Sequence, residues 1–167
     1  MVSIPINSSM DLFFILVLLN TILSGIIAGV SFDVAFVKLP TRKRIGAIAY
    51  AQFARGNDLG NGKIVYPILG IGSIVLVLSL NVVAFLQKQP TPVLFPVVLT
   101  IILTILHSLC TGKAAPIMIS LKNTPDEEKV LKKKLDAFTY WHALRTIFQL
   151  LTFFAVIWSL VALLTTK

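Results

Sequence analysis

The sequence predicts an all-α polytopic membrane protein: a single-domain four-helix bundle with both termini on the non-cytoplasmic side. Three observations predict it. The 167 residues are 56% hydrophobic and 13% charged, about half the charged share of a soluble domain. Four apolar stretches each reach the roughly 20 residues that a helix needs to cross the hydrocarbon core. Lys and Arg gather in two of the three connections between those stretches. In lipid an open strand leaves backbone N–H and C=O groups unpaired, so the stretches read as helices.

The first helix is expected over residues 12–37. Residues 1–11, MVSIPINSSMD, carry neither a basic run nor a small-residue cleavage site. The first apolar stretch therefore reads as a retained helix and not as a signal peptide. Asn7-Ser8-Ser9 fits a glycosylation sequon, set close against that helix. The loop 38–63 contains KLPTRKR and ARGNDLGNG, and its middle, IGAIAYAQFA, has the composition of a short helix lying in the interface. The second helix is expected over 64–86. QKQPTP, residues 87–92, is a tight turn whose prolines stop one helix and start the next. The third helix covers 93–112 or further. The connection 113–137 holds NTPDEEKVLKKKLD. There Thr124, Pro125 and Glu127 have the spacing of an N-cap, an N1 proline and a capping box. They predict the start of a long fourth helix, which spans the membrane over 138–164.

Charge sets the expected orientation. Lys38, Arg42, Lys43, Arg44, Arg55 and Lys63 lie in the first loop; Lys113, Lys122, Lys129 and Lys132 to Lys134 lie in the third connection. The short turn has Lys88 and the C-terminus Lys167. By the positive-inside rule, loops 38–63 and 113–137 face the cytoplasm. The net charge of +8 and pI near 9.9 then mean contact with anionic membrane lipid rather than with nucleic acid. Cys110 is the one cysteine, which excludes an internal disulfide, a CxxC redox pair and a cysteine-rich metal site.

Ionisable side chains inside a bilayer are costly and usually face the bundle interior. Asp33 lies at i+4 and i+8 from Gly29 and Gly25, so its face is expected to point at another helix. His142, Arg145 and Gln149, at i, i+3 and i+7, share a face of the fourth helix. Arg145 enters at the depth of Asp33. The plainest reading of these two is a structural ion pair; a binding or catalytic role is the alternative. The third helix adds His107 at the deepest point, with Lys113 toward the loop. Tyr140 and Trp141 belong to an interfacial aromatic belt. His107, His142 and Asp33 could also form the two-histidine, one-carboxylate face of a non-haem iron site, kept as an alternative to a cofactor-free protein. No GxxxxGK, HExxH, GxSxG or Rossmann pattern occurs.

The order GIIAGVSF, FVKLP, YPILGIGS, AAPIMISL and YWHALRTIFQLL resembles the small four-helix membrane family that includes the anthrone oxygenases. The likeness runs over residues 12–164. It implies a bundle that oxidises flat, lipid-soluble anthrones to anthraquinones with molecular oxygen, with no cofactor firmly expected. The matching positions are Gly25, Gly29, Pro40, Trp141 and Arg145. The family often has P-x-N after the third helix; this chain has Pro116-Ile117-Met118, with Asn123 further on.

The sequence therefore leads to three expectations. The first is an integral membrane oxygenase-like protein of the plasma membrane, acting on a lipophilic anthrone- or quinol-like aromatic. His142 or His107 would be the base, Arg145 the oxyanion partner and Asp33 the orienting carboxylate, with Trp141, Tyr140, Gln149 and Lys113 lining the site. The second is a non-catalytic binder of lipid or a small hydrophobic ligand. The third is an accessory subunit of a larger membrane complex. Expected partners are membrane lipid, a lipophilic small molecule and, as an open alternative, a second copy of the chain.

Overall fold

A computed structural model describes residues 8–166. Asn7 of the sequon and Lys167 lie outside the described residues. Helix α1 runs Ser8–Asp33 and passes through a π turn, Val34–Lys38, into α2, Leu39–Asn57. Helices α3 (Gly62–Leu86), α4 (Thr91–Ser120) and α5 (Glu128–Thr165) follow, with one 3₁₀ turn at Leu121–Asn123. Among the described residues there is no strand, and four helices are long and apolar enough to cross a membrane. The protein is an integral membrane four-helix bundle of α1, α3, α4 and α5.

Short connections make sequential helices antiparallel, so each helix end finds its neighbours. At the far end, the turn Gln87–Pro90 joins α3 to α4 and Lys88 takes φ +50°. Phe13, Val17, Leu80, Ala84, Val93, Val97 and Leu163 pack there into one apolar cluster. At the basic end, Leu39, Tyr50, Ala51, Ala54, Ala114, Met118, Leu121, Leu131, Leu135 and Phe138 form a second. Between the two clusters polar groups are set among buried Ala28, Val77, Leu103, Ala155 and Val156. Asn20, Ser24, Ser31, Asn81, Thr100, His142, Thr146, Gln149, Thr152 and Ser159 are all buried.

The expected helix boundaries are extended at the basic end. With 30 and 38 residues, α4 and α5 are about 45 and 57 Å long at 1.5 Å per residue, against a hydrocarbon core of roughly 30 Å. Their overhang is covered by α2. Gly46 breaks that helix with φ +84° and ψ 166°, a conformation open essentially to glycine alone. The segment 47–57 then folds across the ends of α4 and α5 and buries Ala47, Tyr50, Ala51 and Ala54. It is a helix, as IGAIAYAQFA predicts, but its apolar face packs on protein.

Carboxylates from the third connection hold that segment down. The break at Gly46 exposes the first amides of a new helix turn. Glu128 caps them: Ala47 N–H donates to its Oε1 at 2.9 Å and Ile48 N–H to its Oε2 at 3.2 Å. Asp136 pairs with Arg42. Asp126 accepts from Arg55 at 2.7 Å and from Gln52 at 3.2 Å. Arg55 also donates to the carbonyls of Leu121 and Thr124, at 2.9 and 2.7 Å, which are among those left over where α4 ends. Lys134 completes that end, donating to Ser120 Oγ at 2.9 Å and Thr124 Oγ1 at 2.8 Å. The capping box expected at Thr124 is therefore corrected. The helix begins at Glu128 after a Glu127 N-cap with no side-chain cap bond, and the Thr124 hydroxyl donates back to the Ser120 carbonyl. The α4 terminus competes for the threonine and wins.

Two outcomes test this clasp. A Cβ on Gly46 would meet nothing closer than Glu128 Oε2 at 3.8 Å, so Gly46→Ala should cost only backbone strain, about 1–3 kcal/mol. A lower melting temperature in detergent checks it. Hydrogen bonds from Arg55 and Gln52 hold the Asp126 carboxyl below its ordinary value of 3.8. A depressed carboxylate stabilises above its unfolded pKa and loses that contribution as pH falls through the folded one. Melting temperatures of the wild type should therefore drop below about pH 4, and Asp126→Asn should remove part of that acid-side drop.

Candidate functional site

The candidate site lies in the basic-end half of the bundle, where α1, α4 and α5 meet. Helical spacing puts His142, Arg145, Thr146 and Gln149 on the inward face of α5. Gln149 Nε2 donates to the Ser24 carbonyl of α1 at 3.4 Å. Two turns on, about 10 Å nearer the basic end, His142 Nε2 and Thr146 Oγ1 both lie 3.3 Å from the Ser31 carbonyl. That carbonyl stands just before the π turn. Phe138 stacks on the His142 ring, centroids 5.3 Å apart and 23° from coplanar. Phe138 also belongs to the basic-end apolar cluster, so that cluster closes the site from the basic end.

Arg145 sets the proton positions. A guanidinium only donates, and Arg145 Nη2 lies 2.8 Å from His142 Nδ1. His142 Nδ1 is thus the acceptor, and its Nε2 carries the hydrogen that faces the Ser31 carbonyl. On α4, His107 Nδ1 lies 3.3 Å from the Arg145 carbonyl, which can only accept, so this nitrogen holds the proton of the second imidazole. His107 Nε2 is then the basic nitrogen. Its neighbour, Thr111 Oγ1 at 3.5 Å, already donates to the His107 carbonyl at 3.0 Å. Two imidazoles of opposite tautomer flank one arginine.

Arg145 belongs to none of the three ion pairs among the described residues, and its buried Nε has no protein partner. The ion pair expected with Asp33 is not formed. Asp33 pairs with Lys38 at 3.0 Å, with both side chains partly exposed. The physical reason is the phase of α1, whose buried stripe runs through Asn20, Ser24, Ala28 and Ser31 and leaves Asp33 off the inward face. Residues five apart lie about 140° apart around a regular helix, but the widened turn carries Lys38 round to Asp33. The expected Gly25–Gly29–Asp33 packing face is corrected by the same stripe. Gly25 lies close against Phe153 of α5, whereas Gly29 is exposed and a Cβ there would meet nothing within 4 Å.

A carboxylate that the sequence did not single out, Asp58, lies in the turn before α3. Burial pushes its carboxyl above the ordinary value. Lys38, a hydrogen bond from Tyr66 (3.4 Å) and Arg145 pull the other way. Nothing in the sequence singled out Asp58, which sits in a loop-like ARGNDLGNG. Of the remaining expected site residues, Gln149 is buried in the interior, Trp141 is half-buried against the basic-end cluster, and Tyr140 and Lys113 are exposed. His107, His142 and Asp33 do not gather. Among the described residues no three His, Cys, Asp or Glu side chains form a metal-binding group.

Two grooves open on the bundle. One of about 310 Å³ runs between α3 and α4, lined by Ile74, Val77, Leu78, Ile101, Thr104 and Ile105 among others. Its Thr104 hydroxyl has no protein partner, and His107 lies one residue short of a full turn further along α4. The other, about 450 Å³, lies at the far end beside Phe95 and Trp158. Neither is lined by His107, His142 or Arg145. The expected single chamber thus resolves into a tight cluster and a neighbouring lipid-facing groove. No family model matches the chain, and neither does any curated protein or solved structure.

The environment of Arg145 makes a stability prediction. Removing one member of a buried ion pair costs about 3–5 kcal/mol, whereas replacing an uncompensated charge by an apolar side chain of similar length is neutral or stabilising. Arg145→Met should therefore melt at or above the wild-type temperature. A fall of many degrees would mean a carboxylate partner after all.

Proposed function

We propose that the protein takes a flat, lipophilic aromatic of the anthrone or quinol type from the bilayer and activates it for oxidation by molecular oxygen. Two observations support this: Arg145 is a buried donor without a carboxylate partner, and His107, whose Nδ1 meets the Arg145 carbonyl, has an Nε2 that lacks a strong donor. An anthrone is a carbon acid. His107 Nε2 would take the methylene proton, and Arg145 would hold the oxygen on which the enolate charge develops. The carbanion then gives its electrons to oxygen. The balance is one anthrone and one O₂ to one anthraquinone and one water, so the oxidant is dissolved oxygen. His142 keeps the arginine aimed by accepting from it. The excess of Lys and Arg in the two basic connections favours a cytoplasmic side for them, and the plasma membrane is the proposed location.

A second reading has its own support. The α3–α4 groove, apolar apart from Thr104 and Ser108, opens sideways to lipid, which suits a protein that holds a lipophile without converting it. Oxygen uptake separates the two. With purified protein and anthrone, uptake should exceed the enzyme-free rate. His107→Ala and Arg145→Met should each lower it by about 100-fold or more, while Asp33→Asn leaves it near wild type. Uptake equal to the enzyme-free control, with anthrone nonetheless bound, would leave the binding protein.

A further inference from the structure

We infer that the segment 47–57 is a hinged lid that shuts the basic-end mouth of the arginine site from water. The inference does not depend on whether the site is catalytic.

Three features converge on it. The first is a hinge: Gly46, with φ +84° and ψ 166°, interrupts an otherwise unbroken helical path from α1 through α2. A second is a latch that is polar and lies outside the apolar spans. Glu128 holds the amides of Ala47 and Ile48, Asp126 holds Gln52 and Arg55, and Arg55 reaches the Leu121 and Thr124 carbonyls. These contacts run along the segment's length, and the partners all come from the one stretch 121–128. The third feature is what lies beneath. Tyr50, Ala51 and Ala54 share a cluster with Ala114, Met118 and Phe138, and Phe138 stacks directly on His142. One turn below Ala114, Cys110 is buried. Lifting the segment at Gly46 would remove the layer above Phe138 and open a path to the arginine from the basic end.

A latch of charge-assisted bonds, exposed at Asp126 and part-buried at Arg55 and Ala47, suits an element that opens. Such contacts are weaker against water than apolar burial, and elements that open for ligands come from the less stable parts of a fold. The small side chains Ala47, Ala51 and Ala54 allow close seating, and Tyr50 is the one large side chain of the segment that opening would draw out of the cluster.

Cys110, the chain's one thiol, reports the state of the lid without added labels. In membranes or nanodiscs that expose the basic end, its alkylation by a charged, membrane-impermeant maleimide would be timed. Asp126→Ala and Glu128→Ala should speed it about tenfold, the factor for loss of one charge-assisted hydrogen bond. Lys43→Gln, next to the clasp and exposed, should leave the rate unchanged. Circular dichroism and melting temperature run on the same samples keep global unfolding apart from local opening. Unchanged rates in both clasp variants would overturn the lid. So would an equal acceleration in Lys43→Gln, or acceleration only in proportion to lost helix content. Asp126→Ala is the decisive arm should Glu128→Ala fail to fold, since Asp126 is exposed and its loss leaves the helix cap in place.

Discussion

The bundle depends on a ring of hydrogen bonds that cross between helices inside the membrane. Lipid tails are as apolar as leucine, so burial of leucine gives membrane helices little reason to associate; close packing and interhelical hydrogen bonds supply it. Every neighbouring pair here has such a bond. Asn20 Nδ2 reaches the Leu76 carbonyl from α1 to α3 at 3.0 Å. Asn81 Nδ2 lies 3.3 Å from Thr100 Oγ1 between α3 and α4. His107 meets the Arg145 carbonyl between α4 and α5, and Gln149, His142 and Thr146 close the ring from α5 onto α1. At roughly 0.6 kcal/mol each they specify register more than they add stability. The apolar clusters at the two ends then fill the space that this register leaves.

That ring also shows why Arg145 stands apart. Its backbone carbonyl is structural, since it receives His107. Its side chain is not needed for register, because His142 and Thr146 already reach Ser31. A guanidinium in hydrocarbon without a carboxylate is a cost that packing does not explain, and costs of this kind inside membranes usually mark function. Asp58, in the turn before α3, bonds to Tyr66 and forms no ion pair with the guanidinium. A carboxylate pressed against Arg145 would compete with any oxygen that the arginine is meant to hold.

The sequence made the architecture legible because its determinants are local. Span length, proline punctuation in QKQPTP and the clustering of basic residues each act over about 20 residues or fewer, and each predicted window coincides with one spanning helix, although α4 and α5 run well past theirs. The pairing of His142, Arg145 and Gln149 was legible too, since three residues on one regular helix keep their spacing whatever surrounds them. What failed was the choice of the inward face of α1: with 3.6 residues per turn, the buried stripe runs through Asn20, Ser24, Ala28 and Ser31, and leaves Asp33 off it. The π turn at Val34–Lys38 then widens one turn and brings Lys38 to Asp33. The Glu128 clasp was illegible for another reason: it works across 80 residues or so of chain, where spacing carries no information.

The π turn and the broken helix answer one geometric demand. Helical structure runs from Leu12 to Asn57 over 46 residues, far more than one membrane crossing needs, and a straight rod of that length would leave the bundle unsupported. The widened turn re-aims the helix as it leaves the apolar core, next to a carbonyl that accepts two donors from α5. The leftover length then folds back at Gly46 to cover α4 and α5, which overhang on the same side. Irregular backbone at membrane depth is tolerated only where protein shields it, and α5 packs against the π turn. A helical carbonyl keeps a second lone pair for a donor from a neighbouring helix, as Ser24 does for Gln149. Ser31, at the end of regular α1, offers its own to His142 and Thr146, and so couples α1 to the imidazole, and through the imidazole to the arginine.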